Sequence, residues 1–365
     1  ELSGVRIMAY TTIDDPSAHF QTATWSGNGS NQAITNDGNS DLQPDLVWIK
    51  ARNESTDHAL LDSTRGLTKR LHSNTTDQET SDGSATMSSF DSDGFTMTQY
   101  NIANDADDTG VAWQWKANGG TTTAFSESGD NPGGTHQANQ TAGFSIVRFV
   151  GTGADGTVAH GLGAAPEFIY HKRLDSNSSN NIVYHKHLGT GHNLFMNLNN
   201  QRDSDGALYF LNTAPTNTVF TAGARSQLNE NDSPTVAYCW ADKQGYSKFG
   251  IYRGNGANEG PFIYLGFKPA MLMIKIAIGH TESWHLWDNK RVANGGNPNQ
   301  AIVSPDTTGQ DTGNSTPYNV DFLSNGFKIR DDHDLNNGDG DTYIYAAWAE
   351  LPFVSSEGIP VPAGA

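Results

Sequence analysis

The chain has 365 residues, a formal net charge of −18 and one cysteine, with charged residues at 17% against the roughly 25% usual for a soluble globular protein. An acidic chain with no basic patch repels a phosphate backbone, which argues against nucleic acid as a partner. A lone Cys239 allows neither an intramolecular disulfide nor a thiolate zinc cluster, and the 39 glycines, with abundant Asn, Asp, Ser and Thr, suit short strands joined by tight turns.

Residues 1–19 read as an N-terminal arm. It lacks the apolar run of a signal peptide, and Met8-Ala9-Tyr10 reads as a start preceded by extra residues. From Phe20 onward, four landmarks recur three times in the same order. The first is an aromatic strand running into a glycine turn, at Phe20 to Gly29, Phe144 to Gly153 and Phe249 to Gly256. The second is a proline, an extended apolar run and a lysine at one fixed interval: Pro44 to Lys50, Pro166 to Lys172 and Pro269 to Lys275. The third is a turn into a phenylalanine, at Phe95, Phe327 and, in degenerate form, Phe220. The last is a strand ending in tryptophan: Val111 to Trp115, Val236 to Trp240 and Ile344 to Trp348. Its even spacing puts the branched residue and the tryptophan on one face, which is the expected core face.

These landmarks predict an all-β chain of three tandem antiparallel β-sandwich repeats, of jelly-roll or lectin-like build. The repeats are expected at 20–120, 144–246 and 247–353, with 121–143 as a linker or loop and 354–365 as a C-terminal tail. The densest apolar stretch, Ala270 to Ile274, is stopped by Lys275 and is far too short to span a bilayer.

At these landmarks the chain resembles an uncharacterised repeat family of marine tailed-bacteriophage virion proteins of tail-fibre or structural type. The matching residues are Met8 to Pro16, Pro44 to Lys50, Asp62-Ser63-Thr64-Arg65-Gly66, Gly245 to Gly250, Asp321 to Phe327 and Pro352 to Gly358. The resemblance implies a β-rich component of the virion surface. Its partners would be other virion proteins and a host cell-surface glycan or protein, and trimers are common among fibres. It implies no chemistry.

The residues themselves single out no catalytic set. Glycan hydrolysis needs two carboxylates held across a cleft, and no pair stands out among the 40 acidic residues. No Gly-x-Ser-x-Gly occurs, and Cys239 sits in a core-type strand as a small buried hydrophobe. His171, His185, His187 and His192 crowd the second repeat; alternation would put His185 and His187 on one face, although a structural or solvent-facing role is the simpler expectation. Each repeat carries an acidic loop before its tryptophan strand, and the third makes Asp331, Asp332, Asp334, Asp339 and Asp341 candidate calcium ligands. Calcium is the one cofactor these residues suggest. Trp284, His285 and Trp287 are candidate sugar contacts, because aromatic faces are platforms for stacking. The leading expectation is therefore a non-enzymatic receptor-binding appendage protein, with a capsid-decorating protein and a surface polysaccharide depolymerase as alternatives.

Overall fold

The apolar runs that begin at Pro44, Pro166 and Pro269 form an inner strand of each of the three large sheets. Proline cannot donate to a ladder, so it sits before the strand or at an irregularity in it; the third strand starts earlier, and its register shifts at Pro269. The computed structural model describes residues 10–99, 102–292, 296–313 and 318–361, and the expected start at Met8 lies outside them.

In chain order, the first third supplies β1 (Phe20–Ser26), β2 (Gln32–Ile34), β3 (Leu46–Ala51), β4 (Ala59–Asp62), β5 (Met87–Asp91), β6 (Gly94–Met97) and β7 (Thr109–Trp115). The middle supplies β8 (Thr123–Phe125), β9 (Gly133–Asn139), β10 (Phe144–Val150), β11 (Gly156–Ala159), β12 (Phe168–Arg173), β13 (Ile182–His185), β14 (Leu194–Phe195), the one-turn helix α1 (Gly206–Phe210), β15 (Val219–Ala222) and β16 (Pro234–Trp240). The last third supplies β17 (Ser247–Arg253), β18 (Phe262–Tyr264), β19 (Phe267–Ile278), β20 (His285–Asp288), β21 (Val320–Leu323), β22 (Gly326–Ile329), the short α2 (Asp334–Asn337) and β23 (Thr342–Pro352).

The protein is all-β, and its sheets are antiparallel. One strand order occurs three times: β1-β7-β3-β4, then β10-β16-β12-β13 within a longer sheet, then β17-β23-β19-β20. The register also repeats, with Trp115 opposite Leu46, Trp240 opposite Phe168 and Trp348 opposite Met271. Residues 121–143 are not a linker. They hold β8 and β9, which extend the middle sheet by pairing with β10; their glycines and threonines look turn-like, but an edge strand draws half its bonding from its neighbour.

Each large sheet is covered on both faces, which is why its strands read as continuous apolar runs. Outward, β3 packs Val47 and Ile49 against Ile34, Phe95 and Met97 of the small sheet β2-β6-β5. Likewise β10 and β12 pack Val147 and Ile169 against Val158 and Phe220 of β11 and β15. Inward, the three large sheets share one core, where Trp115, Trp240 and Trp348 meet edge to face with ring centroids 5.3 to 5.8 Å apart.

The sheets are joined around this centre by matching contacts that run in one direction. Asp62 at the end of β4 accepts from the Tyr238 hydroxyl of the middle sheet at 2.7 Å. Asp288 at the end of β20 accepts from the Trp113 indole of the first sheet at 3.0 Å. His185, at the matching end of β13, meets the Tyr345 carbonyl of the third sheet at 3.2 Å. Two of the three are braced by a buried arginine three residues on, Arg65 with Asp62 and Arg291 with Asp288, both at 2.5 Å. Lys50, Lys172 and Lys275 are also buried equivalents; their ammonium groups reach the carbonyls of Glu54, Thr75 and Asn199, and burial pushes all three down to about 8.

Candidate functional site

The three acidic loops share one internal anchor, a buried asparagine whose carbonyl receives the N–H of the glycine turn opposite. Gly29 donates to Asn104, Gly153 to Asn229 and Gly256 to Asn337, at 2.8 to 3.0 Å. The first glycine of each turn lies so close that a Cβ at Gly27, Gly151 or Gly254 would strike the carbonyl oxygen of Asp105, Glu230 or Gly338. The loops are therefore built turns rather than slack acidic segments.

In the third loop, this scaffold separates the five aspartates read as a calcium set. Asp331 turns inward and accepts from the backbone N–H of Asn319 (2.7 Å) and His333 (3.1 Å) and from the Asn336 side chain, and burial pushes it up to about 6. Asp332 and Asp339 are exposed, Asp339 lying beside Gly256. Only Asp334 and Asp341 come together, and the group that joins them is His280, which follows β19 and was not singled out from sequence. Calcium prefers six to eight oxygens, so the five-carboxylate site does not assemble.

The cluster that does form has its His280, Asp334 and Asp341 donor atoms within 4.8 Å of one another. His280 Nδ1 is 2.6 Å from Asp341, and Nε2 is 3.7 Å from Asp334. The hydrogen bond that the ring donates to Asp341 and the charges of both carboxylates raise the imidazole pKa. Gly279, at φ 127°, makes this possible, since a Cβ there would collide with the Asp341 carboxylate. The cluster sets an imidazole between two carboxylates. With the imidazole deprotonated, one nitrogen and two oxygens are a donor set for a borderline divalent ion such as zinc rather than for calcium.

The proposed stacking platform is not one. Trp284 and Trp287 are 1% and 0% exposed, and His285 is buried between them. The indole of Trp284 donates to the Phe195 carbonyl and that of Trp287 to the Tyr318 carbonyl, at 2.9 and 3.1 Å. Because this sheet is covered on both sides, residues that alternate in sequence are all interior.

The remaining chemistry-bearing groups are also built in. Burial pushes His58, His171, His185 and His285 down to about 3, so they are neutral, and it raises the Cys239 thiol far above its ordinary value. His185 ends β13 rather than alternating with His187, which lies in the following turn of 3-10 helix. At the junction of the middle and third sheets, burial of the carboxyl and the nearby Glu167 push Asp242 up to about 7, although the residue keeps an exposed edge. Its carboxylate accepts from Phe249 N–H at 2.9 Å, and Glu167 pairs with Lys186, so both are engaged.

A cleft of about 220 Å³ lies between β1 of the first sheet and the third sheet, lined by Phe20, Thr22, Ala270, Asn289, Lys290 and Glu350 among others; a shallower depression of about 440 Å³ is lined by His192, Gln201, Arg202, Asp203 and Thr281. The walls of the cleft mix apolar and hydrogen-bonding groups, the composition of a site for a small polar ligand.

The family described as "Domain of unknown function (DUF7483)" matches residues 15–352, and the chain belongs to that family. No curated protein and no solved structure matches it.

Proposed function

We propose that this member of the DUF7483 family is a non-enzymatic component of a bacteriophage virion, acting in a tail fibre or appendage that binds a glycan on the host surface. The observation that carries the reading is the use made of reactive side chains. The four most strongly depressed histidines, the cysteine and the three matching lysines are all buried in the interior, away from any ligand outside. The chain carries a net charge of −18, its acidic loops are tied down by backbone hydrogen bonds to the glycine turns, and a cleft opens at one junction. Such a body presents a fixed surface for recognition.

The test has three measurements. Antibody labelling of purified particles should decorate the tail appendage; labelling of the head shell would overturn the tail assignment in favour of capsid decoration, and absence from particles would overturn the virion assignment. Purified protein should slow adsorption of the phage to its host. Incubation with host surface polysaccharide should release no reducing ends, and saturable release would overturn the non-enzymatic assignment.

A further inference from the structure

The three side chains of the His280 cluster come from separate segments. His280 follows the end of β19, Asp334 opens α2 and Asp341 stands just before β23. The turn that carries Asp341 is built alike in all three repeats: Gly27, Gly151 and Gly254 donate their N–H groups to the carbonyls of Asp108, Ser233 and Asp341 at 2.8 to 2.9 Å. At this position the middle repeat has a serine, and the aspartate of the first repeat is spent on its own loop, accepting from the Asp105 N–H at 3.1 Å. Counted from the buried lysines, His280 corresponds to Ser55 and Asn177. The turn therefore forms without an imidazole beside a carboxylate, and the fold alone does not account for the cluster in the third repeat.

The two nitrogens of His280 are differently placed. Nδ1 lies 2.6 Å from Asp341, whose side chain is 8% exposed and has no lysine or arginine in ion-pair reach among the described residues. An N–H donated there fixes the tautomer and leaves the lone pair of Nε2 free, which is what a carboxylate does behind a histidine that ligates a metal. Nε2 makes no hydrogen bond among the described residues and faces Asp334 at 3.7 Å. The Asp334 carboxylate receives none either, since the loop is held by the Asp334 carbonyl, which accepts from the Tyr343 hydroxyl. Two donors this far apart, each about 2.1 Å from one ion, subtend roughly 120° at it, an angle that a four-coordinate zinc site accommodates. The side chains of His280 and Asp334 are 57% and 50% exposed, so an ion with its waters reaches both.

Charge and donor type narrow the ligand. Asp334, Asp341 and Glu282 surround the ring with negative charge, which calls for a cation, and an imidazole nitrogen suits zinc and its neighbours rather than calcium or magnesium, which take oxygens. We propose that His280 Nε2 and Asp334 bind a divalent transition-metal ion of the zinc class, with Asp341 orienting the ring and water completing the coordination. The ion would tie the end of β19 to α2. This site stands independently of the receptor-binding reading.

The experiment is calorimetric titration of the full chain with zinc, in buffer alkaline enough to keep the imidazole neutral, with calcium and magnesium as comparison ions. Zinc should bind and raise the melting temperature by mass action, and the other two ions should bind at least about tenfold more weakly. His280→Ala and Asp334→Asn, both at well-exposed positions, should each remove this binding event and leave the metal-free melting temperature unchanged. Asp341→Asn should weaken zinc binding by about tenfold or more. No zinc binding by the parent chain, undiminished binding in His280→Ala or Asp334→Asn, or calcium bound as tightly as zinc would overturn the proposal. Undiminished binding in Asp341→Asn would overturn the orienting role of that carboxylate. The two exposed variants decide the site even where Asp341→Asn fails to fold.

Discussion

The junction between the first and middle sheets and the one between the third and first start from the same parts and are finished differently. Both are closed by an aspartate held by an arginine three residues on, and in both the aspartate reaches an aromatic N–H or O–H of the next sheet. Beside this contact, one is packed with a glutamine and hydroxyls, whereas the other is left as a cleft. The remaining junction departs further, since neutral His185 replaces the charged pair. Equivalent positions thus hold the body together in common and differ where surface chemistry is free to vary.

The contacts shared by all junctions should carry the largest effects. Trp240→Ala removes an indole that touches both other central tryptophans and should cost about 3–5 kcal/mol, measured by denaturant unfolding. A loss below 1 kcal/mol would mean that the three sheets do not share a core. Asp62→Ala and Asp288→Ala each take the nearest carboxylate from a buried arginine, leaving Arg65 with Glu79 and Arg291 with Asp311, and should cost up to about 3–5 kcal/mol. Because their settings match, the two losses should agree within about 1 kcal/mol, a margin set by the usual scatter of such measurements.

The His185 junction should be acid-sensitive. Its folded-state pKa is depressed to about 3 by burial, so its contribution is present above the unfolded value near 6.5 and is lost as pH falls toward 3. The slope is about 1.4 kcal/mol per pH unit, and His185→Gln should remove that part of the slope in melts from pH 7 to 4. If the wild type and variant respond alike to acid, the histidine is not held neutral. A smaller effect is expected from Gln137→Ala, about 1–3 kcal/mol, since it leaves the Asn118 and Gly120 N–H groups unmatched. Asp332→Asn, on an exposed position with no packing role, should change stability by less than about 0.5 kcal/mol.

The strands were the legible part. The fixed Pro-to-Lys interval locates three matching strands, and the spacing of Val111, Trp113 and Trp115 shows a face that does enter the shared core. The arrangement around a common centre was not legible, because its defining contacts join Asp62 to Tyr238 and Trp113 to Asp288, 176 and 175 residues apart. Periodicity speaks only of neighbours along the chain. The same limit misplaced the site: in a sheet covered on both faces, alternation cannot separate core from surface, so Trp284 and Trp287 looked available when they are interior. His280 escaped notice because its partners lie 54 and 61 positions onward at Asp334 and Asp341. Its one local sign was the glycine before it.

The closed circuit of sheets has a consequence for dilution. Three separate copies meeting at a tryptophan centre would fall apart once their concentration dropped below the dissociation constant, as any oligomer does by mass action. Here the three are tethered, so each junction closes at an effective concentration set by the chain rather than by the solution. The Asp62, His185 and Asp288 contacts would remain formed in a single molecule at vanishing concentration.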